Sequence, residues 1–526
     1  MRAERPVAVI GAGPVGLTTG LGLAFHGVPA VVFEEDASLS LDTKAGTTLS
    51  RSLEIWRRYG AADAILRQAL RVDEIGEIDR ASGARPFPLR LDVLGAETRY
   101  PFVINLPQHH MEPILAEALR AKGGEIRLGH RLTGLAQDAD GVVLRFATPA
   151  GERSFDAGYV LGCDGGRSTV RELLGFDVEG TSIAGSMALV DLIVDLDVAN
   201  PRDYPYLSYF SDAQEWMILV RHPHCWRFLF PLAPEAAEPS AEDLRDKAVA
   251  FIGGVSKVEI HNKVVYRVHH RVANRWRDRR AFLMGDAAHL ITPMWALGLN
   301  TGVLDASNLP WRLAWRRRGW APEAILDGYE REQRPLAAHG SGEMAEAARA
   351  WMSKRVEHAA AMTDNNWSNA YTRGLLGVRL DVDGTGDWSL VKSATEPPIG
   401  VGDRMPDALV HGPDGREQRL HDLCGDRFVA LYFADARRRP AVPTDRSPAL
   451  AHYVVSRWDA PLDSGLRERA LLDPGDRLFR RLAVPSGSVV LVRPDEHVAA
   501  IAPLAPGIGA ALYERSVGQP PPGGMR

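Results

Sequence analysis

The sequence predicts an α/β protein with a Rossmann-like parallel sheet, into which a mostly antiparallel sheet is inserted. Three observations carry this prediction. An apolar strand at residues 7–10 runs into the glycine pattern GAGPVG and then into an apolar helix. Two later apolar stretches, at 159–162 and 281–284, lead into paired glycine and aspartate residues. The segment 181–275 between them carries strand-like runs rich in tyrosine, tryptophan and phenylalanine.

The amino-terminal turn predicts a dinucleotide site. Gly11, Gly13 and Gly16 form the pattern GxGxxG, and Pro14 stands between the last two. In such a turn the first glycine allows the tight bend, the second lets the backbone approach a pyrophosphate, and the third lets helix and strand pack closely. A second apolar strand ends at Glu34, 18 positions after Gly16, where a carboxylate can accept hydrogen bonds from a ribose.

The third glycine–aspartate pair opens the stretch FLMGDAAHLITPMWALGLNTG, residues 282–302. Asp286 follows a buried strand and can accept hydrogen bonds from a chain of hydroxyl groups. Gly298 and Leu299 begin a helix whose amino-terminal N–H groups can face negative charge. The loop holds no nucleophile with a base beside it, and we interpret His289 as a structural residue.

Three motifs, in this order, resemble those of the FAD-dependent aromatic hydroxylases: GAGPVG with Glu34, CDGGRS, and GDAAHLITP with GLNTG and DASNL. These single-component monooxygenases are typified by para-hydroxybenzoate hydroxylase and phenol hydroxylase, and the resemblance covers roughly residues 5–350. It implies FAD as cofactor, with NADH or NADPH as a transient reductant that has no domain of its own. It also implies that O2 hydroxylates a small phenolic substrate through a flavin C4a-hydroperoxide, so that the chemistry belongs to the cofactor.

The resemblance also implies which residues surround FAD. On the ADP side it gives Gly11, Gly13, Pro14, Gly16, Glu34, Glu35 and, beside the adenine, Leu132. Near the pyrophosphate and the flavin it gives Lys44, Arg51, Gln108, Asp164, Arg167, Gly285, Asp286, Pro293, Gly298, Leu299 and Asn300. The chain departs from the family at 294–297, MWAL, where relatives usually have a glycine pair. Pro310 interrupts the following helix, and we expect a kink around 306–310.

The substrate pocket is expected on the inserted sheet and on loops near the flavin. The candidate residues are Tyr209, Arg221, His222, Trp295 and Thr47, with Thr48 and His109 as further candidates. Arg221 could bind a carboxylate or phenolate with two hydrogen bonds. No catalytic side chain is assigned.

Four segments follow from these patterns. We expect the first part of the FAD-binding domain at 1–180, a substrate-binding sheet at 181–275, the second part with a helical linker at 276–394, and a carboxyl-terminal domain at 395–526. The last resembles the thioredoxin-like tail of the phenol hydroxylase and 3-(3-hydroxyphenyl)propionate hydroxylase branch. It lacks CxxC, and Cys424 alone cannot carry out dithiol chemistry, so we expect a structural or oligomeric role, with a homodimer as one form.

Composition excludes other classes of protein. A net charge of −5, with no more than three consecutive basic residues, argues against nucleic-acid binding. Residues 6–25 are uncharged, but the four glycines and Pro14 between positions 11 and 20 argue against a membrane span. Three cysteines without metal or CxxC spacing fit a reducing cytoplasm.

Some alternatives remain open at this point. The acidic residues Glu34, Glu35 and Asp36 slightly favour NADH over NADPH. The same motifs fit an epoxidase or a Baeyer–Villiger-type oxygenase acting on a polyketide-like substrate, and a redox-idle flavoprotein scaffold is the non-enzyme alternative. The WxWxIP signature of flavin halogenases is absent.

Overall fold

The computed structural model describes residues 5–41, 46–83, 89–196, 204–213, 215–255, 257–292, 294–353, 379–382, 398–435, 447–457, 468–473 and 475–522. A six-stranded sheet forms the centre of the amino-terminal part. Its strands in spatial order are Arg277–Asp278, Ala281–Leu283, Tyr159–Gly162, Val7–Ile10, Ala30–Phe33 and Glu125–Arg127. All neighbouring pairs are parallel except the first, which is antiparallel. The carboxyl ends of the parallel strands therefore meet at one edge, where all three motifs lie.

One helix packs on this sheet, and a second, longer helix packs on the first. Helix Pro14–Phe25 is buried along most of its length, and helix Leu297–Arg317 runs unbroken across Pro310. Proline leaves the carbonyl four residues earlier without its helical donor. That carbonyl, at Ala306, accepts a hydrogen bond from the Tyr59 hydroxyl at 3.2 Å. Gly22 permits the close approach, because a Cβ there would lie 3.0 Å from Pro310.

The inserted sheet has eight strands and is antiparallel in all pairs but one. The strands in order are His289–Leu290, Val258–Ala273, Val178–Val194, Trp226–Leu232, Met217–Arg221, Leu207–Ser211, Glu74–Asp79 and Leu89–Arg90. The last two come from the amino-terminal part, outside the segment 181–275 predicted for this sheet. Helix Ala241–Ile252 packs on its outer face, where phenylalanine and valine side chains alternate with the residues of the inner face.

A third sheet of seven strands forms the carboxyl-terminal part. Its strands in order are Glu417–Arg419, Leu409–His411, Ala470–Leu472, Leu450–Ser456, Phe428–Ala434, Ser488–Val492 and Val498–Pro503. The rings of Phe428 and Tyr513 from this part pack on Trp311 and Trp315 of the long helix. The boundary predicted near 395 lies outside the described residues.

Smaller elements complete the chain. Two three-stranded sheets consist of Gly151–Ala157, Val142–Thr148 and Arg131–Gln137, and of Thr47–Thr48, Val103–Asn105 and Leu70–Val72. The remaining α-helices are Ser50–Arg58, Ala62–Leu66, Gln108–Ala121, Thr169–Leu173, Asp327–Pro335, Gly342–Met352, Arg477–Leu482 and Ile508–Val517. Shorter 3₁₀ turns are Leu91–Ala96, Gly285–Ala287, Met294–Ala296, Glu323–Leu326 and Leu420–Leu423, and Leu336–Ser341 is a π-helical turn. Among these described helices, none has both the length and the apolarity that a membrane crossing needs.

Candidate active site

A cavity of about 630 Å³ lies between the carboxyl edge of the parallel sheet and the inner face of the antiparallel sheet. Many of the residues predicted for the site line it. They are Gly11, Gly13, Pro14, Glu34, Glu35, Thr47, Gln108, Leu132, Asp164, Arg167, Tyr209, His222, Asp286, Gly298 and Leu299. Lys44 and Pro293 lie outside the described residues, and the structure gives no test of them. The size is typical of small-molecule and cofactor sites.

The glycine turn forms one end of the cavity. Gly11 has a φ of 101°, and a Cβ there would lie 2.4 Å from the backbone oxygen of Cys163. Gly16 lies behind the cavity wall, where a Cβ would come within 2.0 Å of the Gly11 oxygen. A Cβ on Gly13, by contrast, meets no protein atom within 4 Å, so the space beside Gly13 is open for a ligand. The helix that begins at Pro14 directs its free N–H groups to this end.

Glu34 shapes the turn as well as lining it. Its Oε2 accepts a hydrogen bond from the Ala12 N–H at 2.7 Å, and its Oε1 accepts from the Asp36 N–H at 3.2 Å. Each carboxylate oxygen has a further lone pair that can accept from a ribose hydroxyl. Glu34 therefore holds the glycine turn in place and remains suited to the ribose contact predicted for it.

The second motif is fixed by a partly buried carboxyl group. Asp164 accepts from the Ser168 hydroxyl at 2.5 Å and from the Val170 N–H at 3.0 Å, and burial raises its pKa. Arg167 is exposed at the cavity wall.

Asp305 of helix Leu297–Arg317 does not line the cavity but holds the third motif in place. Its Oδ2 accepts from the Gly285 N–H at 2.8 Å and lies 2.9 Å from Nε2 of His289. His289 also stacks on Trp276, with ring centroids 5.2 Å apart, which agrees with the structural role interpreted for it. Gly285 thus supports the turn from outside the cavity, while Asp286 is exposed at its wall.

The structure does not bring Arg51 to the cavity. Its guanidinium donates to Glu54 at 3.0 Å, to Glu496 at 2.5 Å and to the backbone oxygen of Asp495 at 2.7 Å. The Arg51 side chain is 3% exposed, so it belongs to an ion-pair network with the carboxyl-terminal part rather than to a cofactor contact.

Asn300, also predicted to border the flavin, is not among the residues that line the cavity, and protein atoms satisfy its side chain. Its Oδ1 accepts from the Leu49 N–H at 2.9 Å and the Ser52 hydroxyl at 2.7 Å. Its Nδ2 donates to the backbone oxygens of Thr47 and Ala296. Asn300 therefore ties the loop that carries Thr47 to the start of the long helix.

Two substrate-pocket candidates point elsewhere. Trp295 is 3% exposed and packs in a cluster with Met344 and Ala345 instead of lining the cavity. Arg221 turns back on its own hairpin, where it donates to the backbone oxygens of His222 and Cys225. Trp295 and Ala296 both have a φ of 58°. The left-handed region costs a residue with a side chain about 1–2 kcal/mol, which explains why glycines suit these positions.

We call the part of the cavity beside the antiparallel sheet the substrate half, and the sheet residues that line it the floor. The floor is mainly apolar, and sequence patterns alone did not identify it. Strand register places five cavity-lining side chains in one row across the inner face: Tyr209, Ile218, Leu229, Leu189 and Val264. Leu207, Val220 and Arg227 line the next row. Arg227 is bound through Nε and Nη2 to both oxygens of Asp191, at 2.8 and 3.0 Å, and both side chains are at most 4% exposed.

Comparisons with known proteins agree with this geometry. Residues 4–340 match the family model described as FAD binding domain. The chain belongs to the FAD-dependent aromatic hydroxylases. Like these flavoproteins, it is mixed α/β, and the open space beside Gly13 with its helix amino terminus fits the FAD pyrophosphate.

The sequence similarity to several monooxygenases covers almost the whole chain. It is 29% identical over 516 residues to 12-dehydrotetracycline 5-monooxygenase/anhydrotetracycline 6-monooxygenase from Streptomyces rimosus subsp. rimosus, with 94% of each chain covered. It is 30% identical to aklavinone 12-hydroxylase from Streptomyces purpurascens, with 94% of this chain and 95% of that one covered. The solved ternary complex of aklavinone-11 hydroxylase with FAD and aklavinone matches with a TM-score of 0.82 at 26% identity, covering 99% and 100%.

Gly13→Val is expected to weaken FAD binding by a factor of ten or more while leaving the apoprotein's melting temperature within about 2 °C of wild type. The added Cβ has no protein atom within 4 Å, so the new side chain occupies space that FAD would otherwise fill. Flavin fluorescence titration measures the affinity. Gly95→Val is the matched control, because a Cβ there also meets no protein atom and Gly95 lies outside the cavity lining. Equal FAD affinity in the two variants would contradict the assignment.

Proposed function

We propose that this flavoprotein uses NADH or NADPH and O2 to hydroxylate a phenolic ring. One observation carries the proposal: a single cavity extends from the glycine turn to the apolar floor. A dinucleotide cofactor held at the first end can therefore present its ring to an apolar substrate held at the second. Bound FAD would supply hydride acceptance and oxygen transfer.

The protein's own residues would bind FAD and the substrate, orient them towards each other and exclude water. Gly11, Gly13 and Glu34 would hold the ADP half, and Asp164 and Asp286 would border the middle. Gly298 and Leu299 present the first turn of the long helix to the cavity, where its amino-terminal N–H groups stabilise negative charge. The aliphatic floor keeps water from the reacting ring.

Charge in the substrate half favours an uncharged, multi-ring phenol over a small aromatic acid. Arg227 is the one cationic side chain on the described part of the floor, and Asp191 already neutralises it with two hydrogen bonds. A carboxylate placed there would lose water without gaining a free counter-ion. The relatives named for tetracycline and aklavinone chemistry match nearly the whole chain, which supports this choice.

A second candidate is an epoxidase or Baeyer–Villiger-type oxygenase acting on a polyketide-like substrate in the same cavity. The relatives named for tetracycline and aklavinone chemistry support that kind of substrate. The proposal also includes the choice of reductant, the role of the carboxyl-terminal sheet and the cellular compartment. The acidic cluster Glu34–Asp36 favours NADH. The carboxyl-terminal sheet is a thioredoxin-like domain with a structural or dimer-forming role. The three buried, unpaired cysteines suit a reducing cytoplasm.

NADH oxidation tests the proposal. The purified protein is incubated with FAD and then with a panel of uncharged polycyclic phenols and small phenolic acids, while hydrogen peroxide and products are measured. We expect a polycyclic phenol to stimulate NADH oxidation at least tenfold and to gain one oxygen atom. An oxygen inserted into a ring ketone would favour the second candidate. Protein that stays colourless after incubation with FAD would refute both.

A further inference from the structure

Two histidines beside the cavity have side chains that the roles above leave unused. His110 lies in the first turn of helix Gln108–Ala121, and His224 lies in the turn after strand Met217–Arg221. His110 is half-buried and His224 is exposed. Among the residues that the structure describes, no hydrogen bond or ion pair occupies either imidazole. Both rings are therefore accessible to a ligand from solvent.

The two rings lie at a separation that allows them to share one metal ion. Their centroids are 5.9 Å apart, with an angle of 57° between the ring planes. An ion bound to a ring nitrogen at about 2.0–2.1 Å lies about 3.2 Å from that ring's centroid, so two ligating rings have centroids no more than about 6.4 Å apart. The observed separation is within this limit.

Neighbouring imidazoles favour a metal ion over a proton at this place. Burial lowers the pKa of His110, and the charges of His224 and His261 lower it further. The pKa of His109, whose ring centroid lies 4.1 Å from that of His110, is lowered by burial and then by the charge of His110. His109 and His110 are therefore neutral at pH 7, and neutral imidazole is the form that ligates metal ions.

The antiparallel sheet directs another imidazole to the same place. His261 is exposed and is the extra residue where the register between strands Val178–Val194 and Val258–Ala273 shifts. Such a bulge changes the direction of a side chain. The charge of His261 acts on both His109 and His110, so its ring lies near theirs. Three separate elements thus bring histidines together beside the cavity.

A second group of ligand-type side chains lies inside the protein, but it does not suit a cation. Ligand atoms of Glu54, His421 and Glu496 lie within 4.8 Å of one another, and all three residues are buried. Glu54 accepts hydrogen bonds from Arg51 and Arg404, and Glu496 accepts from Arg51. These guanidinium groups already neutralise the carboxylates and repel further positive charge.

We propose that His110 and His224 bind one divalent transition-metal ion, with water molecules in the remaining positions. Imidazole suits Cu²⁺, Ni²⁺ and Zn²⁺. The elements that carry the two ligands also carry Gln108 and His222, which line the cavity. A bound ion therefore ties two walls of the cavity together. Binding of the ion does not depend on the reaction at the flavin.

Calorimetric titration of FAD-loaded protein without a histidine tag tests this site at pH 7.5. We expect one ion per chain, with Cu²⁺ bound more tightly than Ni²⁺ or Zn²⁺. Loss of an outer partner of a metal ligand already costs about 10–100-fold in affinity, so His110→Gln and His224→Gln should each weaken binding at least tenfold. His261→Gln should weaken it less. His411→Gln, on the carboxyl-terminal sheet, is the control that leaves binding unchanged.

Two further measurements identify the ligands. Electron spin resonance of the Cu²⁺ complex should show nitrogen coupling from two imidazoles in wild type and from one in His224→Gln. Zn²⁺ should raise the unfolding midpoint of wild type more than that of His224→Gln, because an ion that binds the folded protein stabilises it. Flavin absorbance confirms that each variant retains FAD and is folded. Equal affinity in wild type, His110→Gln and His224→Gln, or a Cu²⁺ spectrum without imidazole nitrogen, would indicate an adventitious ion only and would overturn the site.

Discussion

Glu496→Gln is expected to lower the free energy of unfolding by about 3–5 kcal/mol, because it leaves buried guanidinium groups without their counter-ion. Glu496 is 2% exposed and lies 2.5 Å from Nη1 of Arg51 and 3.6 Å from Nη1 of Arg58. Both arginines belong to helix Ser50–Arg58, whereas Glu496 belongs to the carboxyl-terminal part. Glutamine keeps the side chain's size and removes its charge. Denaturant unfolding of the FAD-loaded protein measures the difference.

The matched control for this prediction is Asp422→Asn. Asp422 also joins the two parts, through Arg57 at 2.5 Å and Arg99 at 2.8 Å, but its side chain is 31% exposed. Exposed pairs contribute about 0–1 kcal/mol, so the control should lose no more than that. Similar losses in both variants would mean that burial is not what makes the network stabilising.

Acid should weaken the same network. Glu54 is paired with Arg404 and Arg51, and despite the opposing cost of burial these charges lower the pKa of Glu54 to about 2. The pKa of Glu496 is lowered as well, again against burial, by Arg58, His421 and Arg51. Carboxyl groups with a depressed folded-state pKa contribute stability above their unfolded pKa, near 4.5, that is lost as pH falls towards the folded value. Wild type should therefore destabilise below pH 4.5, and Glu496→Gln should show a shallower slope.

Local patterns predicted much of the fold. The strand Val7–Ile10 has the bounds that its run of apolar residues indicated, and the helix and the second strand predicted after it are present as Pro14–Phe25 and Ala30–Phe33. The pattern PDALVHGPDGREQRLHDLCGDRFVALYFA, residues 406–434, indicates a hairpin, a short helix and a buried strand. The structure has the hairpin as Leu409–His411 with Glu417–Arg419, the helix as Leu420–Leu423 and the strand as Phe428–Ala434. In each case the determinant lies within a few residues of the element.

Long-range partners could not be predicted in this way. Arg51 meets Glu496 across 445 residues, and no local pattern links the two. Asn300 was interpreted through its motif, but its hydrogen bonds depend on where the loop at 47–52 comes to lie. Trp295 is large and apolar, which suits a pocket or a core equally well, and only packing distinguishes them. The floor row required the register of five strands, which sequence does not give.

Glu77→Gln is expected to raise the free energy of unfolding by about 3–5 kcal/mol at pH 8 and to change this free energy little at pH 5. Glu77 is 2% exposed, faces Tyr209 across the sheet, and has one oxygen without a hydrogen-bond partner among the described residues. Burial raises its pKa to about 8. The folded protein thus retains a proton that the unfolded chain releases near pH 4.5, so stability falls as pH rises from 4.5 to 8. Glutamine is neutral throughout and removes this dependence.

Unfolding midpoints of FAD-loaded protein at pH 5, 6.5 and 8 separate this effect from the acid effect of the ion-pair network, which lies below pH 4.5. Glu74→Gln on the same strand is the control, because its partly exposed side chain should change stability by less than about 0.5 kcal/mol at every pH. A wild-type stability that is flat from pH 5 to 8 would contradict a neutral Glu77. If the gain appears, the inner face of the sheet carries no net negative charge in neutral solution, because Asp191 is paired with Arg227 and Glu77 holds its proton. That is the environment in which an uncharged polycyclic phenol binds without the cost of desolvating a nearby carboxylate.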